Sequence, residues 1–222
     1  MNPQRIARAT GILFLITFIT SIPAFFILYA PVLNETDYIV GAGSDAQVQL
    51  GALLEAILII ANIGTAVVLY PIVRRQNEVA AIGYVTARVM ECAIIAVGIF
   101  SVLSIVTLRQ DLAGTDADTA SLVTAGRSLV ALHDWTFLFG PGLFAGVANG
   151  LLLGYLMYRS GLVPRQMAIV GLIGGSLLTV AFVCVLFDVF EAGSAPQAIA
   201  TAPEFVWELF LGIYLTFKGF KP

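Results

Sequence analysis

Residues 50–73 read Leu-Gly-Ala-Leu-Leu-Glu-Ala-Ile-Leu-Ile-Ile-Ala-Asn-Ile-Gly-Thr-Ala-Val-Val-Leu-Tyr-Pro-Ile-Val, and Arg74-Arg75 follow at once. Only one carboxylate, Glu55, interrupts this run. At about 1.5 Å per residue a helix of this length is longer than the ~30 Å hydrocarbon core of a bilayer. The chain therefore has to be read as a membrane protein from here outward. Five more apolar runs fall at about residues 9–33, 79–108, 128–158, 166–190 and 199–217. Across all 222 residues, 59% are hydrophobic and 11% are charged. Soluble domains carry roughly 25% charged residues, and the mean hydropathy here is +0.95. The expected fold is an all-α bundle of six transmembrane helices forming one integral membrane domain over 1–222, with the lipid bilayer as its partner. The first run follows Arg5 and Arg8, as in a signal peptide. Its apolar part exceeds the ~7–15 residues of a signal sequence, so it is read as a retained helix.

The loops orient the bundle. Eight basic residues (Arg5, Arg8, Arg74, Arg75, Arg159, Arg165, Lys218, Lys221) gather at the termini and in the second and fourth loops. The alternate loops hold Glu35, Asp37, Asp45, Asp111, Asp116, Asp118 and Glu191, with Arg109 and Arg127 as the basic exceptions. The positive-inside rule then places both termini in the cytoplasm of a multi-pass protein of the cell membrane. Trp135 and Trp207 fall near the outer boundary, where tryptophan commonly anchors a helix to the interface.

Ionisable side chains within a bilayer are costly and call for a function or a partner. Here these are Glu55, Arg88, Glu91, His133, Asp134, Glu204 and Glu208, with Asp188 at the outer end of the fifth helix. The orientation puts this set in the outer half of the membrane or at its midplane. Arg88 and Glu91 stand i,i+3 and can pair. Glu204 and Glu208 share a helix face as like charges. Glu55, Arg88, Glu91, His133, Asp134, Glu204 and Glu208 are the candidate ligand-binding residues, and Glu55, His133 and Glu208 have the donor types for a divalent metal. A sole histidine excludes a three-histidine zinc site and a bis-histidine haem within one chain. No cofactor is legible, and no basic aromatic surface points to nucleic acid. Cys92 and Cys184 sit in apolar runs and read as packing residues.

Gly142, Gly146, Gly150 and Gly154 recur every four residues and line one face of the fourth helix. Such a stripe permits close helix approach, either within the chain or as the seam of a homo-oligomer. Gly140-Pro141-Gly142 at its start is a kink signal, since Pro141 has no N–H to donate.

Several stretches also carry a likeness. They are Arg5-Ile6-Ala7-Arg8 leading into Gly11-Ile12-Leu13, Leu54-Glu55-Ala56, Ala87-Arg88-Val89-Met90-Glu91 and Leu132-His133. The most specific is Gly154-Tyr155-Leu156-Met157-Tyr158-Arg159-Ser160-Gly161-Leu162-Val163-Pro164-Arg165, and Glu208 fits as well. In these the chain resembles a prokaryotic membrane family, domain of unknown function 4386. The resemblance spans nearly the whole chain and implies a multi-pass membrane protein, without a reaction, cofactor or substrate. Three readings of the buried charges stay open. One is a pocket that binds or transports a cation, proton or small polar ligand. The second is an intramembrane enzyme acting on a lipid-like substrate. The third is a structural or accessory subunit.

Overall fold

The computed structural model describes residues 2–35, 38–41, 43–112 and 118–221, and these contain no strand. Six helices are long and apolar enough to cross a membrane: α1 (Pro3–Leu28), α2 (Asp45–Val73), α3 (Glu78–Leu112), α4 (Thr119–Ser160), α5 (Arg165–Leu186) and α6 (Ala195–Phe217). A short helix, Ala30–Asn34, follows α1. Large apolar side chains such as Ile60, Phe100 and Phe217 are exposed on the outside, as lipid requires. Asp37 and Asp116, read above as part of the acidic loops, lie outside the described residues.

Hydropathy sees the apolar runs but not the polar turns that precede them. α2 starts at Asp45 because the Ser44 hydroxyl accepts from Gln47 N at 3.4 Å. The Asp118 carboxylate accepts from Ser121 N at 3.0 Å and starts α4 at Thr119. These side chains satisfy helix N–H groups that otherwise lack partners. α5 stops at Leu186, short of the expected 190, because Asp188 takes a left-handed φ of 55°. Val189 N then bonds back to Cys184 O at 2.8 Å, a helix stop. α4 ends similarly at Gly161 (φ 67°), whose N–H bonds Met157 O, and Pro164 opens α5.

Short connections force sequence neighbours to pack antiparallel. Each helix lies against the next, and α6 closes the ring on α1. The Gln4 side chain exchanges hydrogen bonds with the backbone of Phe220 (2.9 and 3.0 Å), and Lys221 N donates to Leu162 O at 2.8 Å. Both termini and the α4–α5 turn therefore share one end, here the terminal face; the opposite end is the distal face. The terminal half is closely packed and apolar. Phe14, Leu69, Val73, Leu153, Leu156 and Leu215 are fully buried in one cluster there.

The glycine face of α4 is occupied within the chain. A Cβ on Gly146 would meet Gly175 O at 3.1 Å, one on Gly154 would meet Leu172 N at 3.2 Å, and Gly150 lies on Gly175. Only Gly142 meets nothing but its own helix. α4 and α5 thus approach backbone to backbone. Trp207 departs from the anchor expectation. It is fully buried, packs on Gly171 and donates its indole N–H to Asn149 O at 2.9 Å. Its N–H and ring both find partners inside the bundle, whereas Trp135 remains half exposed.

One distal exception in the charge pattern has a structural cause. Arg109 pairs with Asp45 at 2.8 Å, donates to the carbonyls of Gly41 and Gly43 at 3.1 Å, and lies 4.7 Å over the Tyr38 ring. It ties the first distal loop to α2 and α3.

Candidate functional site

Two departures from α-helical hydrogen bonding shape the distal half. After Pro23 the bonds widen to the i→i+5 pattern over Ala24–Leu28. Around Pro141 they do so over Leu138–Phe144 and again over Gly146–Leu153. The expected disturbance at Gly140-Pro141-Gly142 is therefore a run of wide turns, a geometry often found at functional sites. The wide turns bring adjacent Phe25 and Phe26 to the same space as Pro141 and Ala145. That space is a cavity of about 360 Å³ to which all six helices contribute.

Six of the seven residues picked out from the sequence line it: Glu55, Arg88, Glu91, His133, Glu204 and Glu208. Asp134 does not. Its side chain is exposed on an adjoining face of α4, beside Glu35 and Arg127 in a second, smaller depression. Neighbouring positions on a helix point about 100° apart, so His133 and Asp134 cannot both face inward. Asp188 is likewise exposed at the end of α5.

The floor of the cavity is a closed polar triangle. Arg88 Nη1 donates to Glu91 Oε2 at 2.7 Å, Arg88 Nη2 donates to Asn62 Oδ1, and Asn62 Nδ2 donates to Glu91 Oε1 at 3.3 Å. Arg88 and Glu91 are 2% and 3% exposed. The pair is neutral as a unit and both partners hydrogen-bond Asn62, while Arg88 Nε is buried without a partner. Beneath it, the Tyr84 and Thr65 hydroxyls stand 3.4 Å apart.

The remaining acids are held separately. Glu55 Oε2 accepts from Tyr29 O–H at 3.0 Å. Glu208 Oε1 accepts from Asn149 Nδ2, and Asn149 O receives the Trp207 indole. His133 packs edge to face with Tyr29 at 5.7 Å, and its Nδ1 lies 3.7 Å from Asp134 Oδ1, too far for a hydrogen bond. Glu204 stands apart: it is 3% exposed, and neither carboxylate oxygen has a hydrogen-bond partner. Its Oε2 occupies space that a Cβ on Gly150 or Gly174 would crowd to 2.6 and 2.8 Å. Those glycines thus make room for a carboxylate as well as for helix packing.

Among the described residues, no three of His, Cys, Asp and Glu converge closely enough to hold a metal ion. Glu55, His133 and Glu208 share the cavity, but Glu55 is engaged by Tyr29 and Glu208 by Asn149 from another wall. The cysteines are free, and Cys92 is buried with its thiol 3.7 Å from Ile59 O.

Sequence reasoning missed Tyr29, Asn62 and Asn149. Asn62 follows Glu55 by seven residues, two helical turns, so a shared face was legible. Asn149 stands inside the glycine run, and its polar side chain between Gly146 and Gly150 was the signal. Tyr29 lay at the end of an apolar run and gave none.

Six apolar spans around one charged cavity define a multi-pass membrane protein of the helix-bundle class. The chain belongs to the family described as domain of unknown function 4386, whose model matches residues 9–219. Neither a curated protein nor a solved structure matches it.

Proposed function

We propose that this protein binds or transports a small positively charged solute in the distal cavity. The observation that carries this reading is the charge balance of the walls. Arg88 and Glu91 cancel one another, leaving Glu55, Glu204 and Glu208 against the single imidazole of His133. Glu204 among them has no hydrogen bond at all. An isolated buried carboxylate is strongly disfavoured unless a proton or another cation joins it. The loop charges support an outward location: eight of the ten loop and terminal Lys/Arg lie toward the terminal face, which the positive-inside rule assigns to the cytoplasm. The apolar packing of the terminal half would then separate the cavity from the cytoplasm. The accessory-subunit reading rested on a free glycine face, and α5 covers most of that face.

The test is a thermal-shift series on the purified chain in lipid nanodiscs, with sodium, potassium and methylammonium chlorides and with sodium acetate against its own sodium control. Concentration-dependent stabilisation by at least one of these cations, lost in Glu204→Gln, is expected. Equal Tm in every salt would reject the reading. Orientation is tested in a Cys92→Ala/Cys184→Ala background with an impermeant thiol reagent on whole cells. Ala192→Cys should react and Arg74→Cys should not; the reverse pattern would turn the cavity inward.

A further inference from the structure

The rim of the cavity differs from its floor. Ile22 and Phe26 of α1, Phe137 of α4 and Phe205 of α6 line the cavity and are partly exposed. Phe26 is 70% exposed and Phe205 45%. A pocket for a fully hydrated inorganic ion has no use for such a rim. Wherever such a side chain lies on the outer surface of its span it meets acyl chains, and through it the cavity would open to the hydrocarbon of the bilayer. Phe25 stacks on Phe137 at 4.3 Å and Phe18 meets Phe205 edge to face at 5.1 Å, so aromatic pairs flank the passage.

The unpartnered acid and the aromatic rim call for a ligand with two ends. We infer that the cavity takes an amphiphilic amine: an ammonium group paired with Glu204, and an apolar substituent running out past Ile22, Phe26 and Phe205 into the membrane. This rests on the cation reading above and specifies its ligand. Turned from the Gly150–Gly174 seam toward the cavity, the two buried, orphaned oxygens of Glu204 would take charge-assisted hydrogen bonds from a charged nitrogen. Aromatic faces near the passage favour a cation over an anion of the same size. An alkyl chain leaving through the rim exchanges water for apolar side chains and then for lipid. A carboxylate of equal length would face Glu55, Glu204 and Glu208 and be repelled. An amine-bearing lipid and a free alkylamine share this chemistry, and the experiment separates them.

The test uses the full chain with Trp135→Phe, which leaves Trp207 as the only indole of the two. Trp207 is joined through Asn149 to Glu208 and reports occupancy by its fluorescence. Nanodiscs of phosphatidylglycerol receive methyl-, butyl- and octylammonium, octanoate, sodium and potassium. Kd is expected to fall by about fourfold per methylene at short chain lengths and then level off as the chain reaches lipid. Glu204→Gln should weaken octylammonium at least about tenfold, the scale of one charge-assisted hydrogen bond. Phe26→Ala, an exposed position that folding tolerates, should weaken octylammonium more than methylammonium. Competition by added phosphatidylethanolamine supports a lipid amine; its absence, with octylammonium still bound, supports a free amine. Binding of sodium, potassium or methylammonium without any gain from chain length would overturn the amphiphile and leave the cation reading standing. Failure of every cation would overturn both, and octanoate binding as tightly as octylammonium would overturn the charge recognition.

Discussion

The terminal and distal halves of this bundle use the same six helices to opposite ends. In the terminal half, leucines, valines and Phe14 interlock in one buried apolar cluster. In the distal half the helices part around about 360 Å³ and place four acids, an arginine and a histidine on its walls. The backbone follows this division only in α1, a regular helix up to Pro23 that widens beyond it; the wide turns of α4 begin at Leu138 beside the cavity and run on to Leu153 in the terminal cluster. A region packed to crystal-like density resists substitution, whereas one already holding a void has less packing to lose. The contrast teaches that the largest apolar cluster lies in one half and the buried charges gather in the other, beside a smaller apolar cluster around Tyr29, Val48 and Ile105.

Breaking the boundary between the halves should have the largest effect. Arg88→Leu leaves Glu91 buried without its counter-charge and Asn62 without its donor, a loss of about 3–5 kcal/mol. Thermal unfolding in nanodiscs should show the fall in Tm, and Arg88→Leu/Glu91→Leu should recover more than half of it. Next comes a matched pair across the two halves. Leu156→Ala in the terminal cluster should cost about 2–5 kcal/mol, whereas Ile22→Ala at the rim should cost less than about 1 kcal/mol, because that side chain is 41% exposed already. Equal costs would erase the distinction drawn here.

Glu204→Gln sharpens it from the other side. Replacing an unpartnered carboxylate with a neutral amide of the same shape should raise ligand-free stability by about 1 kcal/mol, read as a higher Tm at pH 7; a fall would show that the carboxylate has a structural partner. Arg109→Ala concerns the distal cap alone. It should leave Tm within about 1 kcal/mol equivalent and speed protease cleavage between Leu33 and Asp45, followed by gel. The smallest effect is at alkaline pH. The Tyr38 phenol, outside the spans, is pushed up to about 12 by burial and then by its hydrogen bond to Asp45. Its ordinary value is about 10. A raised phenol contributes stability that is whole below about pH 10 and lost as pH rises through about 12. The Tm advantage over Tyr38→Phe should shrink across that window.

Much of the site was legible because membrane burial makes every polar residue conspicuous. Glu55, Arg88, Glu91, His133, Glu204 and Glu208 stood out by chemistry alone, and helix direction gave them a common depth. Asp134 and Trp207 were misplaced because depth comes from position along a helix, whereas facing comes from rotation about it: Asp134 lies about 100° round α4 from His133, and Trp207 turns inward onto Gly171 from α6. Tyr29 was invisible because a tyrosine at a helix end is unremarkable until a carboxylate is found 3.0 Å away.

The amino-acid sequence by itself determined that six helices cross a membrane, and which loops share a side. Apolar length and loop charge are properties of consecutive residues, and lipid leaves the backbone few alternatives to a helix. Only the tertiary structure decided which charges cancel, that Glu204 stands without a partner, and that α5 takes the glycine face. Those outcomes depend on how six helices rotate and close around one another, and no single stretch of chain carries that information.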